Sequence, residues 1–325
     1  MRRVLQLDIA GYRLFGTLHD HDLPPSSQIK QASLRTGVLL LSFGQQNRSW
    51  VGDLGSSIAD RLDAKGYPTF RFDMPGLGDS PGDLPVYIEE FGREVQLGSH
   101  ERPLLALCEE LVRRYSLKGL VVCGNCGGAV TALYVVNARS PLVLGLVLIE
   151  PEMALVQAES STTPSASPSL TVVAYYEGIH IFWRRLASFK SWWHLFTGKA
   201  DFSYWFKLWS GLLEYSIRKL NSVGRHTKVL PKETNPRMIS SWKLARRLKI
   251  PTLIVSVGST YKRKYYHAYG LEPGIDDIKS KLQWVEIPNT THSMLTGGGK
   301  EALSKNIERW VCNSFPIEPF AKLTT

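Results

Sequence analysis

The chain has 325 residues, 43% of them hydrophobic and 21% charged, which suits one large globular domain or a domain carrying an insertion. No apolar run reaches the roughly 18 residues of a membrane span. The start, Met1-Arg2-Arg3-Val4-Leu5-Gln6-Leu7-Asp8, meets charge too early for a signal peptide and reads as a first strand, so a cytoplasmic location is expected.

In chain order, Val4 to Ile9, a turn at Ala10-Gly11 and Tyr12 to Leu18 predict a hairpin. A polar loop from Asp20 to Arg35 leads to the apolar strand Gly37 to Gly44. Leu54, Ile58 and Leu62 give Val51 to Lys65 helical periodicity, stopping at Gly66. Another strand, Tyr67 to Asp73, ends in the turn-rich Met74-Pro75-Gly76-Leu77-Gly78-Asp79-Ser80. A helix is expected from Glu101 to Tyr115, then a strand at Leu120 to Val122, a small-residue helix from Ala129 to Ala138, and a nearly continuous apolar strand from Leu142 to Glu150.

The alternation then breaks. Ser160 to Ser169 is rich in Ser, Thr and Pro, and Tyr175 to Trp242 is helical-looking and holds six of the nine tryptophans. Residues 180–249 contain fifteen Lys/Arg and three Asp/Glu, a local excess of +12 against +10 for the whole chain. A concentrated cationic surface attracts an anionic partner, while a solvated helical face explains the same residues without one. Basic and aromatic residues interleave here, but no nucleic-acid motif accompanies them, so nucleic acid is not the expected partner. Strand patterns resume at Ile250 to Val257 and Leu282 to Ile287, followed by a helix from Lys300 to Val311. Strands alternating with helices predict an α/β, mostly parallel, doubly wound sheet. It spans residues 1–151 and 250–325, with a helical cap inserted at 152–249.

Four cysteines occur, Cys108, Cys123, Cys126 and Cys312, without the spacing of a disulfide framework. Cys123 and Cys126 form a C-x-x-C that straddles a strand-to-turn junction, so a metal or redox reading is the minor one. The segment Val121-Val122-Cys123-Gly124-Asn125-Cys126-Gly127-Gly128-Ala129 carries the chemistry. A strand running into Gly-x-Cys-x-Gly and then a helix is the pattern of a nucleophile elbow. Cys126 is the candidate nucleophile; a buried small hydrophobe is the alternative role for such a residue.

With these elements in place, the chain resembles an α/β-hydrolase with a helical cap. Phe43-Gly44-Gln45 stands where that family has His-Gly-x. Phe72 to Ser80 resembles its turn after the fourth strand, Gly124-Asn125-Cys126-Gly127-Gly128 its elbow, and Asn289-Thr290-Thr291-His292-Ser293-Met294 its histidine loop. The opening Gly11 to His19 and the fourth-strand turn are similar to exosortase-associated hydrolases. The cysteine elbow resembles those of dienelactone hydrolases and polyhydroxyalkanoate synthases.

The resemblance implies His292 as general base. It places the usual acid after the penultimate strand, but Val257 to Lys264 holds no carboxylate. Glu150 is the substitute, at a position where certain haloalkane dehalogenases carry their acid; Glu152, Asp276 and Asp277 compete with it. Backbone amides of Gln45 and Gly127 are the implied oxyanion donors. Asp79 and Ser80 read as turn-formers, and no cofactor or metal is expected. A thiolate exchanges readily with thioesters and activated esters and poorly with amides. The expected activity is therefore formation of a thioester acyl-enzyme, followed by hydrolysis, acyl transfer or cyclisation, the acyl group arriving on an acidic carrier protein or coenzyme A. Two other classes stay open: a non-catalytic ligand-binding relative, and a peripheral membrane ester hydrolase docked through its basic cap.

Overall fold

A computed structural model describes residues 2–20, 35–41, 46–155, 234–257, 266 and 281–317. The chain divides into two compact units. One comprises Met1–Met153, Asn235–Gly258 and Pro273–Thr325, the other Ala154–Thr234 and Ser259–Glu272. In the second unit the described residues include an antiparallel bridge between Ala154 and Thr234 and a buried Tyr266. Nearly all of the Trp-rich, basic stretch lies outside the described residues. Its last part does not: Asn235–Gly258 groups with the sheet, so residues 235–249, read from sequence as the end of the cap, join the strand that follows them.

The first unit is built on eight strands: β1 (Arg2–Ile9), β2 (Tyr12–His19), β3 (Arg35–Leu41), β4 (Thr69–Phe72), β5 (Leu117–Asn125), β6 (Val143–Ile149), β7 (Thr252–Val257) and β8 (Leu282–Ile287). They form one sheet in the order β1-β2-β4-β3-β5-β6-β7-β8. The β1–β2 and β2–β4 pairs are antiparallel; every later pair is parallel. The near-continuous apolar runs of β3, β5, β6 and β7 follow from burial on both faces. On one face Val38, Leu40, Val121, Cys123, Val147, Ile149, Leu253 and Val255 pack with α1 (Leu54–Asp63) and α6 (Gly299–Ser314). The alternate residues, such as Leu39, Val122, Leu148 and Ile254, are buried too. By the two-residue period of a strand they point to the opposite face, that of α3 (Glu101–Tyr115), α4 (Gly127–Tyr134) and α5 (Pro236–Arg247).

Two elements differ from the sequence reading. Ile88–Leu97 forms a helix, α2, that the apolar pattern does not reveal because Phe91 and Val95 are its only buried large apolar residues. Acidic Glu89 and Glu90 in its first turn and the left-handed Gly98 at its end are the signals that mark it. The elbow helix starts at Gly127, two residues earlier than its apolar pattern. It tightens into a 3-10 turn over Val135–Ala138.

The turn after β4 is held by Asp73, which is fully buried. Its carboxylate accepts from the Arg48 side chain and from Asp79 N–H. Ser80 Oγ donates to the Asp73 carbonyl at 2.8 Å and accepts from Phe15 N–H at 2.9 Å. Asp79 and Ser80 thus shape the turn and tie it to β2.

Candidate active site

Cys126 sits at the apex between β5 and α4, with φ 51° and ψ −116°, a conformation that L residues hold only when their surroundings enforce it. The enforcement is visible. Cys126 N–H donates to the Ile149 carbonyl at 2.8 Å, while its own carbonyl accepts from Ala129 and Val130 N–H at 3.0 and 3.2 Å. The bend is so tight that a Cβ on Gly124 would lie 2.1 Å from the Gly128 carbonyl oxygen, so only glycine fits there. Cys126 and Gly127 are partly accessible while Cys123 is buried. Gly127 N–H belongs to the first turn of α4, where backbone donors lack intrahelical partners.

Glu150 follows β6 directly. Its carboxylate is buried yet has two anchors. Oε1 accepts from Val257 N–H at 2.8 Å, and Oε2 lies 3.2 Å from His292 Nδ1. Glu150 N–H in turn donates to the Val255 carbonyl at 2.8 Å. The end of β7, where the sequence has no acid, therefore supplies a backbone donor that seats a carboxylate reaching over from β6. Glu152, a second candidate, is half-buried two residues further on. Asp276, Asp277 and Gln45 lie outside the described residues.

His292 lies in the loop after β8, with its side chain half-exposed. Its imidazole is held far above its ordinary range, to about 10, first by its hydrogen bond with Cys126 and next by that with Glu150, with partial burial opposing both. The three side chains thus form a chain of contacts from Cys126 through His292 to Glu150. Burial pushes the Cys108 thiol up to about 12 and the Cys123 thiol up as well, so neither favours the reactive anion. All four cysteines are free. Among the described residues no group of three or more His, Cys, Asp or Glu could hold a metal ion.

One further residue was not singled out from the sequence. Asn125, next to Cys126, is fully buried, and among the described residues neither end of its carboxamide has a hydrogen-bond partner. An unsatisfied buried polar group costs about 1–3 kcal/mol. Asn125→Leu, nearly isosteric and apolar, is therefore expected to raise Tm by a few degrees in a thermal melt; a lower Tm would show that the carboxamide is bonded in solution.

An eight-stranded, mostly parallel sheet with an elbow after its fifth strand and a histidine loop after its eighth defines the α/β-hydrolase fold. Residues 38–297 match the model of the alpha/beta hydrolase family, and the chain belongs to that family. Among solved structures it is similar to proline iminopeptidase of Mycobacterium smegmatis, at 12% identity over 96% of this chain and 98% of that one, with a TM-score of 0.54. It is also similar to the esterase Pf2001 of Pyrococcus furiosus (13% identity, 96% and 92% covered, TM-score 0.52). Est1E of Butyrivibrio proteoclasticus, solved with ferulic acid, stands at 12% identity, 95% and 98% covered, TM-score 0.52. At such identities the likeness is one of fold. No curated protein matches the sequence significantly. No helix among the described residues is long and apolar enough to cross a membrane.

Proposed function

We propose that the protein is an acyl-transferring or acyl-hydrolysing enzyme in which Cys126, His292 and Glu150 act as nucleophile, base and acid on a thioester or activated ester. The observation that carries this reading is the placement of a partly accessible thiol at the strained apex of the elbow, in hydrogen-bond contact with an imidazole that is itself held by a buried carboxylate. With the proton already on His292, which is held as the imidazolium up to about 10, Cys126 Sγ bonds as a thiolate to the substrate carbonyl carbon. The carbonyl oxygen becomes an oxyanion facing Gly127 N–H, with Gln45 N–H as the expected second donor. The bond to the leaving group then breaks, the leaving thiolate or alkoxide takes the proton from His292, and the acyl group stays on Sγ.

Acylation removes the Cys126 hydrogen bond, which is the largest cause of the raised His292 pKa. The imidazole then releases its proton more readily and can deprotonate water or an alcohol or amine acceptor, whose attack on the thioester frees Cys126. Glu150 holds the Nδ1–H tautomer and faces the imidazolium charge. Because Val257 N–H seats Glu150 at the end of β7, the lack of a carboxylate on β7 itself gives little support to a non-catalytic role. The basic insertion supports an acidic carrier protein or coenzyme A as acyl donor.

A thiolate nucleophile predicts selectivity for leaving groups at least as good as a thiolate. Turnover of an acyl thioester should exceed that of the ethyl ester of the same acid by orders of magnitude at saturating enzyme. Equal rates on both would overturn the reading.

A further inference from the structure

The His292 side chain is half-exposed, so packing around the ring does not fix it, and its place depends on the loop that carries it. That loop, residues 289–299, is closed on itself. Met294 N–H donates to the Thr291 carbonyl at 2.8 Å, and Gly299 N–H to that of Thr296 at 2.9 Å. A Cβ on Gly297 would lie 2.0 Å from the Asn289 carbonyl oxygen, so the chain passes against itself there. Asn289 and Met294 hold left-handed φ values of 57° and 60°, which such residues keep only where their surroundings enforce them.

The closed loop is seated on the turn that follows β3, residues 50–53. Leu295 packs so closely on Gly52 that a Cβ there would lie 2.5 Å from Leu295 Cδ2. Lys300 Nζ donates to the Gly52 carbonyl at 2.8 Å, and Met294 and Trp50 are buried in the same core. The turn is a firm support. Trp50 Nε1–H donates to the Leu41 carbonyl at the end of β3 at 2.8 Å, and Gly55 N–H to the Ser49 carbonyl at 2.9 Å. Trp50, Gly52 and Asp53 have φ values of 61°, 61° and 58°, so two strained segments hold each other. Lys300, for its part, is out of place in its own helix. It is the second residue of α6, where the positive end of the dipole disfavours a cation. The bond to Gly52 accounts for a lysine at that position.

We propose that Lys300 and Leu295 are positioning residues, which brace the histidine loop against the turn after β3 and so keep His292 within hydrogen-bond reach of Cys126. The inference rests on the pairing of Cys126 with His292 and adds which contacts hold that pair in place. Leu295 is three residues from His292, so a shift at one is passed to the other. A displacement of about 1 Å at a reacting group can cost about 100-fold in rate, and such groups need a supporting layer of contacts to stay in place.

The test uses two variants of the full chain. Lys300→Met keeps the aliphatic stem and removes the donor; Leu295→Ala removes the packing at unchanged charge. Leu295 is half-exposed and Lys300 partly so, so both variants should melt within a few degrees of the parent. Two readouts report the pair itself: the NMR titration of the His292 imidazole, and the rate at which iodoacetamide alkylates Cys126 at pH 7, mapped by mass spectrometry. His292 should titrate near 10 in the parent and fall toward 6.5 in each variant. Alkylation should slow about tenfold in the double variant, as the thiolate reverts toward the few per cent of an ordinary thiol. Lys300→Arg, which keeps the donor, should behave as the parent does. Loss of the Lys300 charge alone would raise the His292 midpoint, so a fall reports the contact. Folded variants that match the parent in both readouts would overturn the brace, as would a raised midpoint in Lys300→Met with Leu295→Ala silent. A parent whose His292 titrates near 6.5 would defeat the pairing with Cys126 itself, and the brace with it.

Discussion

Cys126→Ala should bring turnover of an acyl thioester down to the level of the fold's residual binding and oxyanion effects. That means a loss of about 10³-fold or more in kcat, with KM little changed, because only the group that bonds to the substrate is removed. Cys126→Ser should fare nearly as badly. A serine hydroxyl ionises far less readily than a thiol and must lose its proton during the attack, in a site whose imidazole is held as the cation chiefly by its contact with the Cys126 sulfur. Steady-state kinetics on purified variants with parent-like melting curves decide the point. A serine variant as active as the parent would show that the elbow does not depend on sulfur chemistry.

Glu150→Gln should lower kcat by about 10²–10⁴-fold, the range for acids that orient an imidazole without touching the substrate. The amide keeps an oxygen for Val257 N–H but offers His292 no negative charge. This variant also has a pH signature. The folded-state pKa of His292 lies above its ordinary value of 6.5, so the imidazolium contributes stability fully below about 6.5 and loses it as pH rises through about 10. The stability gap between parent and Glu150→Gln should thus be widest below about pH 6.5 and narrow as pH rises toward 10. Urea melts at several pH values measure this. A gap that widens with pH would mean that His292 is not held as the cation by this contact.

The sheet was legible in the sequence because burial on both faces leaves long apolar runs, as in Leu142 to Glu150, and because turn residues punctuate them. Helix α2 was not, since two buried side chains make too short a stripe to set a period. The elbow showed itself through its glycines, of which Gly124 is the one the bend leaves no room to replace. The contact between His292 and Glu150 had no local signature: the residues are 142 positions apart, and what joins them is the neighbouring ends of β6, β7 and β8. The seat for Glu150 is the backbone N–H of Val257, a group every residue but proline carries, so no side chain could announce it. Nor could the glycine spacing show that the Asn125 carboxamide is buried without a partner among the described residues, since only the packing around β5 decides that. The α5 segment looked like the end of the cap because its Trp242 continues the aromatic run. Met238, Ile239 and Ala245, buried on the same helix, are what place it with the sheet.

The central claim is that Cys126 accepts the acyl group covalently. Intact-protein mass spectrometry after brief mixing with an acyl thioester, followed by peptide mapping at acidic pH, tests it most directly. The account predicts one acyl mass added to the parent chain, mapped to the peptide containing Cys126 and removed by hydroxylamine. It predicts no adduct with Cys126→Ala. An unmodified parent chain that nonetheless turns the substrate over, or an undiminished adduct in Cys126→Ala, would contradict it.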